Sequence, residues 1–125
     1  MSNRNRIDTP WGLSDTAETL APGVILVTTP SHGGLLLPEN APIPAQVTAA
    51  FINGPRWAEE DCELAIALAL LQAAGAVKED AIRGYPATKI LEAAREIALR
   101  FPRYAAALDH LPKTWGADAD TEDDR

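Results

Sequence analysis

The sequence predicts an α+β domain in which a short antiparallel β-meander packs against two main helices, followed by a short C-terminal helix and a disordered acidic tail. Two observations lead to this prediction. Between residues 16 and 37, β-branched and other apolar residues cluster between turn signals, which is typical of short strands. From residue 58 onward, apolar residues recur at the three- and four-residue spacing of helices.

The length and charge of the chain define its domain organisation. A chain of 125 residues is the usual size of one domain, which we place at residues 1–115. The net charge is −7, and residues 116–125 hold five acids and one arginine, so this tail carries −4 and the remainder −3. The tail has too few apolar residues to repay the entropy of ordering, and we therefore expect it to be disordered.

The first third of the chain predicts strands and turns. The segment Thr9–Gly12 combines a proline with a glycine and predicts a rigid turn around a tryptophan. Strands are predicted over residues 16–20, 24–29 and 35–37, the second being the richest in β-branched residues. Residues 30–34 are expected to form the turn between the second and third strands.

The rest of the chain predicts helices. Residues 45–52 are expected to form a short helix before a break rich in glycine and proline. Residues 58–74 are predicted to form the first main helix, which is nearly apolar after its first turn and is therefore expected to be central. Residues 86–101 form an amphipathic second helix. Pro102 interrupts it, and residues 103–111 form the last short helix.

Composition excludes several classes of function. No basic patch interleaved with aromatic residues is present, so direct binding of nucleic acid is not expected. The longest apolar run is much shorter than the roughly 20 residues that cross a membrane. A single cysteine, Cys62, and a start that does not resemble a secretion signal favour the cytoplasm.

His32 is the first candidate site residue, in the segment Ser31-His32-Gly33-Gly34. The leading interpretation is structural, with the glycines serving a tight hairpin and the imidazole meeting a carboxylate across the fold. We expect that carboxylate to be Glu59, Glu60 or Asp61. The alternative is a catalytic histidine acting with Cys62 or an acid such as Glu60.

The acids Glu59, Glu60 and Asp61 have two interpretations. In the predicted first turn of a helix, each gains about 0.3 to 1 kcal/mol from the helix macrodipole. Three adjacent acids also repel one another, and the preceding Trp57 adds apolar surface, a combination that indicates a binding site.

Cys62 has three interpretations. The first is a buried small hydrophobic residue, and the second is a nucleophile paired with His32. The third is a zinc ligand together with His32 and a carboxylate. The spacing matches no regular zinc pattern, so we expect neither a metal nor another cofactor.

Three blocks, taken in order, resemble an uncharacterised domain family of phages, plasmids and other mobile elements. The resemblance covers about residues 8–72 and rests on the blocks Thr9-Pro10-Trp11-Gly12, Ser31-His32-Gly33-Gly34 and Glu59-Glu60-Asp61-Cys62. It implies a setting in which small proteins often oppose host defence, as anti-restriction or anti-CRISPR factors do.

Three functional hypotheses follow from the sequence. The first is a non-catalytic inhibitor that binds a host defence protein or nucleoprotein complex. Its expected binding residues are Trp11, His32, Trp57, Glu59, Glu60 and Asp61. The second is a small hydrolase or transferase that uses His32 with Cys62 or an acid such as Glu60. The third is a structural accessory that works as a homo-oligomer.

Overall fold

The computed structural model describes residues 6–115, in which antiparallel sheets pack with helices. Strands β1 (Asp8–Thr9) and β2 (Gly12–Leu13) form a hairpin. The larger sheet has the order β3–β4–β5–β6, with strands Thr16–Ala21, Val24–Thr28, Gly33–Leu36 and Trp57–Glu59. The α-helices are α1 (Ala45–Thr48), α2 (Glu63–Ala73) and α3 (Ala87–Arg100), and a 3-10 helix, η1, spans Pro102–Asp109. The predicted α+β class is confirmed, while the predicted disordered tail lies outside the described residues.

Strands β3, β4 and β5 form the expected antiparallel meander. Gly23 turns the chain between β3 and β4 with a positive φ of 78°, a conformation that glycine adopts without steric cost. Strand β4 pairs with β5 in a register that places Leu26 opposite Leu35 and Thr28 opposite Gly33. The face of the meander that meets the helices is apolar, because Val24 and Leu35 are almost completely buried in the core cluster and Leu26 packs against it.

The third strand begins two residues earlier than the sequence predicts. Gly33 and Gly34 were expected in a turn, yet both lie in β5 and pair with β4. Their lack of a side chain serves close packing, since a Cβ on Gly34 would lie 2.6 Å from the carbonyl oxygen of Ala58. Glycine therefore marks a crowded strand here.

The predicted start of the first main helix is wrong. Residues 57–59 form strand β6, and α2 begins only at Glu63. Strand β6 completes the sheet by pairing Leu35 with Ala58 and Leu36 with Trp57. Backbone pairing with the open edge of β5 overrides the helical preference of the sequence Ala-Glu-Glu.

The core lies between the large sheet and helices α2 and α3. The predicted central position of α2 is confirmed, because every residue from Ile66 to Gln72 is buried. Its side chains share one apolar cluster with Leu35 of the sheet and with Leu91 and Ala94 of α3.

The remaining helices differ modestly from the prediction. The short helix α1 ends at Thr48, earlier than expected. Helix α3 ends at Arg100, because Phe101 is extended before Pro102, as residues preceding proline prefer. Phe101 is 40% exposed and does not continue the buried face as predicted. No helix within residues 6–115 is both long and apolar enough to cross a membrane.

Candidate functional site

The edge of the large sheet brings together the three sequence blocks. In β5 and β6, Gly34 lies opposite Glu59. The amide of Glu60 then donates a hydrogen bond of 3.0 Å to the carbonyl oxygen of Gly33, which continues the pairing into the following turn. This pairing holds the histidine-glycine block beside the acidic block, although the two are distant in sequence.

Trp11 and Trp57 form an aromatic pair on this edge. Their ring centroids lie 5.7 Å apart at an interplanar angle of 82°, the edge-to-face arrangement that aromatic rings prefer. Trp11 lies in the β1–β2 turn, where its amide donates to the Thr9 hydroxyl oxygen and that hydroxyl donates to the Gly12 carbonyl. Its ring covers Gly34, so a Cβ at Gly34 would overlap the indole.

His32 is held by its backbone. The hydroxyl oxygen of Thr29 accepts the His32 amide at 3.0 Å, and the same hydroxyl donates to the His32 carbonyl oxygen at 2.7 Å. The imidazole Nδ1 lies 3.7 Å from Oε2 of Glu59, which agrees with the predicted approach of His32 to the acids. The side chain of His32 is 42% exposed and that of Glu59 only 17%.

Glu59 has an unusual electrostatic environment. Burial raises the pKa of its carboxyl group above the ordinary value, and the neighbouring charges of Asp61 and Glu63 raise it further. The imidazole of His32 acts in the opposite direction on this pKa. Glu59 is therefore a carboxylate that the fold holds among like charges.

The macrodipole interpretation of the three acids is wrong. Glu59 lies in β6, and Glu60 and Asp61 lie in the turn before α2. Glu63 is the acid in the first turn of α2. Glu60 and Asp61 are thus exposed turn residues that precede α2, and they do not form its first turn as the sequence predicted.

Cys62 precedes α2 and packs against the hydrophobic cluster as a partly buried residue. Burial raises the pKa of its thiol, and the charges of Asp61 and Glu59 raise it further. Such a thiol stays protonated at neutral pH, which disfavours the nucleophile interpretation. Within the described part of the chain, the ionic partner of the His32 imidazole is Glu59 and not Cys62.

Glu63 is a fully buried carboxylate that the sequence analysis did not select as a site residue. Its Oε2 accepts hydrogen bonds from the Ile52 amide at 2.8 Å and the Tyr104 hydroxyl at 2.7 Å. Its Oε1 accepts the Glu59 amide at 3.2 Å. Burial and the bond to Glu63 raise the pKa of Tyr104, so its hydroxyl remains a donor. Through the hydrogen bond from the Glu59 amide, Glu63 therefore connects the end of β6 to the start of α2.

A cleft of 680 Å³ opens beside the acidic turn, between α2 and α3. Leu64 and Leu68 of α2 and Ile90 of α3 form part of its apolar lining. Tyr85, from the segment before α3, also lines the cleft and is 61% exposed.

The charged lining of this cleft is mostly acidic. Glu60 and Asp61 contribute from the turn before α2, Glu92 and Glu96 contribute from α3, and Lys89 is the basic residue in the lining. Glu92 and Glu96 were not predicted as site residues. Their spacing in the sequence could have indicated a site, because two like charges four residues apart on a helix repel each other and destabilise the helix.

The predicted site residues fall into two connected groups. Trp11, Trp57, His32 and Glu59 lie on the sheet edge, while Glu60 contributes to the cleft. Asp61 belongs to both groups, since it lies near His32 and Glu59 and also lines the cleft.

Fold and site together define a small α+β domain with an acidic surface flanked by an aromatic pair. The chain belongs to the family described as Domain of unknown function (DUF7007), whose match covers residues 4–117. This match covers nearly the whole chain, whereas the resemblance drawn from the three sequence blocks covers about residues 8–72. No curated protein and no solved structure matches the chain.

Proposed function

We propose that this domain is a non-catalytic binding protein whose acidic cleft receives a basic surface of a partner protein. The observation that supports the proposal is the cleft itself, with four carboxylates and a single lysine around an apolar lining. Charge of one sign around such a cleft favours a partner of the opposite sign and speeds its encounter.

The apolar lining supplies the second requirement of a binding site. Interfaces derive most of their energy from a few buried aromatic or aliphatic anchors, whereas exposed charges mainly affect the association rate. Tyr85 is the exposed aromatic side chain at the cleft, and Leu64 and Ile90 line the space beside it. A basic partner with an apolar side chain at its centre satisfies both features.

The partner that we propose is a host defence protein or nucleoprotein complex in the cytoplasm of a host cell. The resemblance of the three sequence blocks to a mobile-element family supports this choice. A protein that binds nucleic acid presents a basic surface, which matches the acidic cleft. Direct contact with nucleic acid is not part of the proposal, because the carboxylates of the cleft would repel phosphates.

A second candidate is a small hydrolase or transferase in which His32 and Glu59 transfer protons. The observation that favours it is the 3.7 Å approach of the imidazole to the carboxylate. The raised pKa of the Cys62 thiol leaves Glu59, rather than Cys62, as the partner of His32 in such a reaction.

The test reverses charge on one wall of the cleft. We expect the double variant Glu92→Lys/Glu96→Lys to bind its partner at least about tenfold more weakly than wild type, since paired charges become repelling ones. The matched control is Glu18→Lys/Glu39→Lys, which makes the same charge change at two exposed acids outside the cleft lining.

Two readouts are needed. Partners captured from host lysate are identified by mass spectrometry, and protection of a phage or plasmid is measured in the same host. The proposal requires that the cleft variant loses both capture and protection, that the control retains both, and that capture weakens with added salt. Equal behaviour of the two double variants would refute a role for the cleft.

A further inference from the structure

We propose that His32, Glu59 and Asp61 form a binding site for a divalent first-row transition metal ion, Zn²⁺ or Mn²⁺. Each residue offers one ligand atom, and these atoms all lie within 4.8 Å of one another. Two donors bound to one ion at about 2.1 Å lie at most about 4 Å apart, so small side-chain rotations would close the three around an ion.

Backbone hydrogen bonds fix the positions of the two chain segments that carry the donors. Thr29 fixes the His32 backbone through both the amide and the carbonyl group. Opposite it, Glu59 is paired in the sheet with Gly34, and the Glu60 amide bonds to Gly33. Preorganised donors lose less entropy when they bind an ion than donors on a free chain.

The charge around these donors favours a cation. The Glu59 side chain is only 17% exposed and lies among the charges of Asp61, Glu63 and Glu60. Across the residues that the structure describes, the 3.7 Å contact with His32 is the one side-chain ion pair, so no lysine or arginine neutralises this carboxylate. A divalent ion would relieve that repulsion.

The donor set indicates the class of ion. Imidazole nitrogen suits zinc and other transition metals, whereas sites built only from oxygen suit magnesium and calcium. One nitrogen and two carboxylates therefore favour Zn²⁺ or Mn²⁺. Because His32 is 42% exposed, the remaining coordination positions face solvent and would take water.

The expectation from sequence was that no metal binds, since the donors show no regular spacing. Regular spacing is a property of sites built on one helix or one loop. Here one donor follows β4 and the others lie at and beyond the end of β6, and only the pairing of β5 with β6 brings them together.

The test is calorimetric titration of the metal-stripped full chain with Zn²⁺ alone and, separately, with Mn²⁺ alone. We expect saturable binding of one ion per chain by wild type for at least one metal. His32→Ala and Asp61→Asn should each weaken it at least about tenfold. Glu60→Gln is the matched control, because it removes an adjacent exposed acid that is not a donor and should therefore weaken binding much less than Asp61→Asn does. His110→Ala, at the other histidine of the chain, is a second control and should leave the affinity for the metal unchanged.

Thermal unfolding with and without metal supplies a second readout. Bound metal should raise the melting temperature of wild type and of Glu60→Gln, but not that of His32→Ala. Asp61 is exposed and the His32 side chain is 42% exposed, so their variants should remain folded, and circular dichroism verifies this. Absence of saturable binding with both metals, or equal weakening by Glu60→Gln and Asp61→Asn, overturns the proposal.

Discussion

Glu59 is an acid whose ionisation the fold opposes. Its carboxyl group is partly desolvated and lies near other carboxylates, which raises its pKa above the ordinary value of 4.5. In the unfolded chain those contacts are absent. Between the unfolded and folded pKa values the folded state binds more protons, so Glu59 makes folding less favourable as pH rises through that interval.

Replacing Glu59 tests the predicted direction in which stability changes with pH. As pH increases from about 4 towards neutrality, we expect wild type to lose stability relative to Glu59→Gln, because the amide never ionises. The measurement is the free energy of unfolding in urea at several pH values without added metal. Glu18→Gln, an exposed acid on β3, supplies the baseline. A wild type that gains stability over Glu59→Gln with rising pH would contradict the assigned environment.

At the scale of elements, strand β5 is the part of the large sheet against which the β1–β2 hairpin packs, through Trp11. Gly34 lies close to the six-membered ring of the Trp11 indole and to the Ala58 carbonyl oxygen. Gly33 leaves space for the Glu60 carboxylate, since a Cβ there would lie 2.7 Å from its Oε1. The two glycines therefore set how closely the first hairpin and the acidic turn approach the sheet.

Adding a methyl group to Gly34 should increase the separation between β5 and the β1–β2 hairpin that carries Trp11. We expect Gly34→Ala to destabilise the domain by about 1 to 3 kcal/mol, the usual cost of overpacking. Part of the cost should disappear in a Trp11→Ala background, because one of the overlapping groups is then absent. Chemical denaturation of wild type, the two single variants and the double variant measures the coupling. An identical cost in both backgrounds would show that the indole does not pack on Gly34.

At the scale of the whole molecule, Glu63 connects segments that are far apart in sequence. Its carboxylate accepts hydrogen bonds from the loop after α1 at Ile52, from β6 at Glu59 and from η1 at Tyr104. All three donors converge on a side chain with no exposed surface. A buried carboxylate with several donors holds its neighbours in one arrangement as long as every donor remains satisfied.

Removing the Glu63 carboxylate should lower the stability of the domain. Glu63→Ala leaves two backbone amides and a hydroxyl without their acceptor, and we expect a loss of about 3 kcal/mol in the free energy of unfolding. Tyr104→Phe removes only one donor and should cost about 1 kcal/mol. Urea denaturation of both variants provides the comparison. Equal and small losses would mean that the Glu63 network contributes little to stability.

Local sequence patterns were sufficient for most of the architecture. Strand β4 and helix α3 lie close to their predicted positions, and α2 ends where predicted although it begins five residues later, because apolar periodicity and turn residues act over a few neighbours. The same patterns missed β6 and placed Gly33 and Gly34 in a turn. Both errors concern residues whose conformation depends on a partner strand, which local preference does not encode.

The sequence by itself determined that this chain forms an α+β fold with an apolar central helix, and it identified His32, the tryptophans and the acids as candidates. Only the tertiary structure decided how they combine. Sheet pairing set His32 against Glu59, and packing of α2 on α3 created the acidic cleft with Glu92 and Glu96. The physical reason is that helix and strand formation depends on neighbouring residues, whereas a site depends on contacts between segments that only the complete fold brings together.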